Sequence, residues 1–205
     1  MNTQTHILIA ATLFAKPGKQ NRAINAAALL GGILPDLTIF VMFFWSKIIG
    51  TPEMEVWEKW YYNPFWQFWI DAFNSLPLYS ASLITGLIMG LIVFKTNPKL
   101  KPLGIALAVF STAALAHLIG DFFLHVEDAH AHFWPLSHWR FISPVSYWNP
   151  AYWGNYVAFV ELVAGIVMSI VLFKRFKARW VRALLIITIL SYILVPIYFL
   201  VTLGL

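Results

Sequence analysis

The chain has 205 residues, of which 60% are hydrophobic and 11% charged, with a formal charge of +5 and no cysteine. A soluble domain carries about 25% charged residues, so the shortage of charge argues against water as the main solvent and for lipid. The absence of cysteine excludes disulfides, thiolate nucleophiles and cysteine-held metals.

A spanning helix needs about 20 largely apolar residues to cross about 30 Å of hydrocarbon. The first apolar segment, 5–15, is too short for that. It lacks a basic stretch before it and a small-residue cleavage site after it, so it reads as a half-membrane or re-entrant helix. Five later segments are long enough: 23–46, 72–94, 103–124, 154–173 and 183–203. Pro17-Gly18, Asn97-Pro98 and Asn149-Pro150 punctuate them, while Pro35 and Pro196 fall inside spans and predict kinks. No repeat or linker interrupts the pattern. The expected fold is all-α: a single integral membrane domain over 1–205, a bundle of five spanning helices plus the N-terminal half-helix.

The basic residues set orientation. Lys16, Lys19 and Arg22, then Lys95, Lys99 and Lys101, then Lys174, Arg175, Lys177, Arg179 and Arg182 fall on one side; Lys47, Lys59 and Arg140 fall on the other. By the positive-inside rule the loops 16–22, 95–102 and 174–182 are cytoplasmic, and 47–71 and 125–153 face outward, into the periplasm in a bacterium. Positive charge spent on topology leaves no case for nucleic acid binding. The Trp-rich stretches 57–69 and 134–153 read as interfacial anchors, with a lipid-binding rim as the alternative.

Charged side chains inside spans cost roughly 2.5–3.5 kcal/mol each on insertion scales and mark function. Here they are Asp36, Asp121 and Glu161, joined by His117 and, in the half-helix, His6. Counted from the nearest cytoplasmic basic residue at about 1.5 Å per residue, they lie about 15 to 30 Å deep, from mid-membrane to the outer leaflet. His117, Asp121 and His125 are spaced i, i+4, i+8, so a helix puts them on one face. Two imidazoles and a carboxylate on one stripe suit a divalent ion such as zinc. Five of the six histidines fall within 117–138, at the mouth of this site, where they extend it or bind a second ion.

Each residue also has a simpler reading. A lone intramembrane histidine is usually a hydrogen bond between helices, Asp36 is a natural N-cap for a helix broken at Pro35, and Glu161 is a pair partner. His130, His132 and His138 read as interfacial, and Glu127 and Asp128 as solvated loop acids.

The order Thr5-His6, Gly31-Gly32-Ile33-Leu34-Pro35-Asp36, His117-Leu-Ile-Gly-Asp121 and Trp134-Pro135-Leu136-Ser137 resembles the bacterial membrane-bound metal-dependent hydrolases, also described as LexA-regulated or LexA-binding inner-membrane hydrolases. It is distantly similar to the zinc-dependent phospholipase C and nuclease group. The resemblance covers the first 45 residues and 115–142. It implies that His6, Asp36, His117 and Asp121 are the metal ligands. The chain departs from that pattern after Asp36, where a His-Arg-x-x-Thr-His segment is expected and 37–63 contains no histidine.

The expected function is hydrolysis of a lipid or phosphoester at an outward-facing intramembrane site. Zinc, or alternatively manganese, is held by His6, Asp36, His117, Asp121 and His125, and Glu161 or Asp128 acts as general base. Membrane lipids are the expected partners. The rival readings are a non-catalytic subunit of a membrane-protein complex with a degenerate site, and an ion or proton translocator whose path toward the cytoplasm would run through Ser111 and Thr112.

Overall fold

A computed structural model describes residues 1–203. Its regular elements are helical, with no strand among the described residues. They run α1 (Thr3–Phe14), α2 (Arg22–Ile33), α3 (Leu37–Ile49), the single turn α4 (Glu53–Glu55), α5 (Pro64–Phe73), α6 (Leu76–Leu91), α7 (Leu100–Phe122), α8 (Gly154–Arg175) and α9 (Arg179–Leu203).

Five helical stretches are long and apolar enough to cross a membrane: Lys19–Ile49, Pro64–Lys95, Leu100–Phe122, Gly154–Arg175 and Arg179–Tyr198. They correspond to the five expected spans. Their polarity is inverted relative to a soluble protein. Phe44, Ile48, Phe159, Val160 and Trp180 are each more than 60% exposed, while His6, His117 and Asp121 are 2% exposed or less. A water-soluble monomer rarely exposes so much contiguous apolar surface.

The expected half-helix is present. α1 has 12 residues, about 18 Å at 1.5 Å per residue, which is half a bilayer core or slightly more. It buries Thr5, His6, Leu8, Ala10 and Ala11 against α2, α7 and α8. The first span breaks in its middle. Pro35 has no N–H to continue the helix, and a 3-10 turn over Leu34–Asp36 joins α2 to α3. The Pro35 carbonyl is recovered by Asn74 Nδ2 at 3.1 Å.

One expectation needs correction. The stretch 47–71, expected as an outer loop, is largely helical. A π turn over Val56–Trp60 follows α4, and α5 then runs to Phe73. Asn63 caps α5 by accepting from the Phe65 N–H at 2.9 Å, with Pro64 at the first helical position, where its missing N–H costs nothing. The density of aromatic residues, which suits surface anchors, hides a helical pattern that buries Val56, Ile70 and Asp71. The 123–153 segment, by contrast, is mostly irregular, apart from a short 3-10 turn at Pro150–Tyr152.

α7 is the central helix, packed on α6 and α2. Small residues allow the close approach, as is common between membrane helices. Gly104 lies against the backbone of Gly86 and Gly90, and a Cβ at Gly31 would overlap the Phe110 carbonyl. Gly31→Ala is therefore expected to cost about 1–3 kcal/mol through overpacking, read as a lower Tm in detergent. An unchanged Tm would contradict the close crossing of α2 and α7.

Candidate metal centre

α7 places His117 and Asp121 one turn apart, and the break at Pro35 brings Asp36 to face them. His117 Nδ1 lies 2.9 Å from the Gly32 carbonyl oxygen. A carbonyl only accepts, so Nδ1 carries the proton and Nε2 points into the cluster. There Nε2 is 2.9 Å from Asp121 Oδ2 and 3.5 Å from Asp36 Oδ1. His6 from α1 stacks on His117, with centroids 3.4 Å apart and planes 9° apart, and its Nε2 is 2.9 Å from Asp121 Oδ1. The four residues that the resemblance implies as ligands are thus brought together.

His117 Nε2 and Asp121 Oδ2 are in contact, yet neither has a hydrogen-bond partner of acceptable direction, and both are buried. Buried polar atoms are nearly always paired. Donor atoms in contact but aimed past one another are what two ligands of one ion present. Ligand atoms about 2.0–2.1 Å from a tetrahedral ion lie roughly 3.3 Å apart, close to the 2.9 and 3.5 Å separations found here. The ligand atoms of His6, His117 and Asp121 all lie within 4.8 Å of one another. These buried groups can hold a metal ion, and the imidazole and carboxylate donors fit zinc or manganese. Asp36 occupies the N-cap position of α3, but its side chain makes no capping bond. It accepts instead from Thr3 Oγ1 and faces His117.

The cluster continues past the C-terminal end of α7. His125 Nε2 is 3.2 Å from Asp121 Oδ1 and its Nδ1 is 3.1 Å from Asp128 Oδ2. Burial lowers the proton affinity of His125, but the carboxylates of Asp121 and Asp128 outweigh it and raise its pKa to about 9. His130 lies 4.8 Å from His125 between ring centroids. Burial, with His125 and His132 adding to it, drives His130 well below the usual histidine range, so its ring is neutral. The Met1 amino nitrogen lies 2.6 Å from Asp121 Oδ1 and 3.4 Å from His125 Nε2.

Glu161 faces a different group. Its carboxylate accepts from the Asn2 N–H at 3.1 Å, Asn2 Nδ2 at 2.9 Å and Thr5 Oγ1 at 2.7 Å. Thr5 in turn meets the Tyr192 hydroxyl at 2.7 Å. At the other end of α1, Arg175 donates to the carbonyls of Ala11, Thr12 and Ala15 at 3.2, 2.8 and 2.8 Å. Glu161 and Arg175 are both on α8, about 21 Å apart along it, slightly more than the length of α1. A carboxylate at the helix start and a guanidinium at its end satisfy orphan backbone groups and complement the dipole. α8 therefore clamps α1, and with it His6.

Several supporting residues are not evident from the sequence. Asp71, buried in α5, pairs with Arg140 Nη2 at 3.0 Å and accepts from the Ala131 N–H at 3.1 Å. Arg140 Nη1 donates to the Ala129 carbonyl at 2.6 Å, so the turn carrying His130 is held from both sides. Asp71 is an acid in an apolar run, which is a usable signal, but it falls in the segment expected as loop. His132 is buried, with Nδ1 donating to the Asn74 carbonyl at 3.1 Å, and of the three histidines expected at the interface only His138 is exposed. Ser111 and Thr112 do not extend the polar cluster. Ser111 bonds Ser82 and the Leu107 carbonyl, and Thr112 bonds the Ala108 carbonyl.

No family model, no curated protein and no solved structure matches the chain.

Proposed function

We propose that this chain is a metal-dependent hydrolase of the bacterial inner membrane that cleaves an ester or phosphoester bond of a lipid. His6, Asp36, His117 and Asp121 hold a divalent ion, zinc or manganese. The observation that carries this reading is the buried pair His117 Nε2 and Asp121 Oδ2, which are 2.9 Å apart without a hydrogen bond. An ion there supplies Lewis acidity and lowers the pKa of water toward 7.

The chain's own groups divide the remaining work. The Gly32 carbonyl fixes the His117 tautomer, as partners of metal-binding histidines do. Asp128 has an unpartnered Oδ1 and takes the proton of the attacking water as general base. Glu161 is spent on Asn2 and Thr5 and acts by positioning α1.

A groove of about 410 Å³ supports a lipid substrate. It is lined by Leu34, Phe68, Leu78, Tyr79, Phe110 and Trp134 among others, and its wall residues Leu34 and Trp134 lie two positions from Asp36 and His132. Its size fits a small-ligand site, and its lining suits an acyl chain. With loops 16–22, 95–102 and 174–182 in the cytoplasm, the His125 end of the cluster lies toward the outer leaflet.

The test is hydrolysis of a panel of diacyl phospholipids by protein in detergent, stripped of metal and then reloaded. Activity that requires zinc or manganese is expected, and activity indifferent to a chelator contradicts the reading. Leu78→Trp, which fills the groove, is expected to raise KM about tenfold for long-chain substrates only, the loss of about two buried methylenes. An equal effect on a short-chain analogue would detach the groove from substrate binding. A second reading, a non-catalytic subunit of a membrane complex, is favoured by the full engagement of Glu161 with α1. It predicts bound metal without turnover.

A further inference from the structure

The geometry points to a second divalent transition-metal ion, outside the first, held by His125, His130 and the carboxylate of Asp121, which then bridges the two ions. The inference rests on the reading of Asp121 as a ligand of the inner ion and adds ligands that the four-residue pattern does not contain.

His130 is the starting point. It is 2% exposed, and neither ring nitrogen has a hydrogen-bond partner. It sits in an irregular loop at the outer end of the bundle, where turning the ring outward would hydrate it. The fold holds it inward instead, with Asp71 accepting from Ala131 and Arg140 donating to Ala129. A neutral imidazole buried with two unsatisfied nitrogens is costly unless one of them coordinates something.

His125 gives the second observation. Its Nε2 faces Asp121 Oδ1 at 3.2 Å, and its Nδ1 faces Asp128 Oδ2 at 3.1 Å. Nδ1 makes no hydrogen bond despite this contact, while the opposite nitrogen is turned toward Asp121. The ligand atoms of Asp121, His125 and His130 all lie within 4.8 Å of one another, and all three residues are buried. Asp121 presents Oδ2 to His117 and Oδ1 to His6, His125 and the Met1 amine, so its carboxylate touches both groups. Packing of His130 against His125 without an ion explains the ring contact but leaves both His130 nitrogens unsatisfied.

Two ions sharing a carboxylate form the clamp that stabilises attacking and leaving oxygens in an in-line displacement at phosphorus. Phosphoesters are the lipid bonds that such a pair of ions suits best.

The experiment is a metal count on full-length protein in detergent, stripped with a chelator and reloaded with Mn(II), with electron paramagnetic resonance on the same samples. Wild type is expected to bind two ions per chain with an exchange-coupled spectrum. His130→Ala is expected to bind one, with an uncoupled spectrum. One ion in wild type, lost in His117→Ala and unaffected by His130→Ala, overturns the second site while the inner one stands. No bound ion in wild type overturns both. If His130→Ala fails to fold, the wild-type spectrum decides: a coupled pair supports the site, and uncoupled Mn(II) alone overturns it.

Discussion

Asp121→Asn is expected to remove bound metal and hydrolysis together. The side chain keeps its shape but loses the charge that faces His6, His117 and His125 at 2.9, 2.9 and 3.2 Å. Partners one shell removed from a metal already cost 10–100-fold in affinity when mutated, so loss of this ligand is expected to cost at least about 100-fold. Titration of the stripped variant with zinc, followed by calorimetry, measures the change. His117→Ala is expected to have a comparable effect on the inner ion. Wild-type affinity in Asp121→Asn would contradict the assignment of the cluster as a metal centre.

Glu161→Leu is expected to weaken the site from a distance. The substitution leaves the Asn2 N–H, Asn2 Nδ2 and the Thr5 hydroxyl without their acceptor. Each buried group left unsatisfied costs about 1–3 kcal/mol, so a clear fall in Tm follows. His6 is adjacent to Thr5 on the same short helix, so loosening the start of α1 is expected to lower metal affinity by about 10–100-fold, the range of outer-shell partners. Glu161→Gln keeps one acceptor oxygen for Thr5 and is expected to recover most of the loss. The two roles of Glu161 separate kinetically. A clamp lowers metal affinity while kcat at saturating metal and the shape of the pH profile stay as in wild type. A general base lowers kcat at every metal concentration and removes the acidic limb of the profile. The second outcome would return Glu161 to the chemistry.

The parts of the site that follow a helical period are legible in the sequence. His117 and Asp121 are four apart in a span, which places them on one face of α7 whatever the packing. Pro35 marks the interruption beside Asp36, and the shortness of 5–15 marks α1 as a half-helix whose end must be covered by protein. What the sequence does not show is which residues cover it. The partners of Glu161 are Asn2 and Thr5, one of them outside any apolar run, and the capping of α1 by Arg175 uses a residue that orientation rules count only as a cytoplasmic charge. The histidine run suggests a second ion but not which of its members turns inward, because the placement of His130 depends on an irregular loop tied to Asp71 and Arg140 across 69 positions. Non-local pairs of that kind leave no period in the sequence. The helical character of α5 is masked for a related reason: its tryptophans suit an interface anchor and a packed helix equally well.

X-ray data collected at the zinc absorption edge from crystals grown with zinc test the central claim most directly. A strong anomalous peak bounded by His6, Asp36, His117 and Asp121 is the predicted result. Ordered density for these four side chains, with their nitrogens and oxygens hydrogen-bonded to one another and no anomalous peak between them, would contradict it.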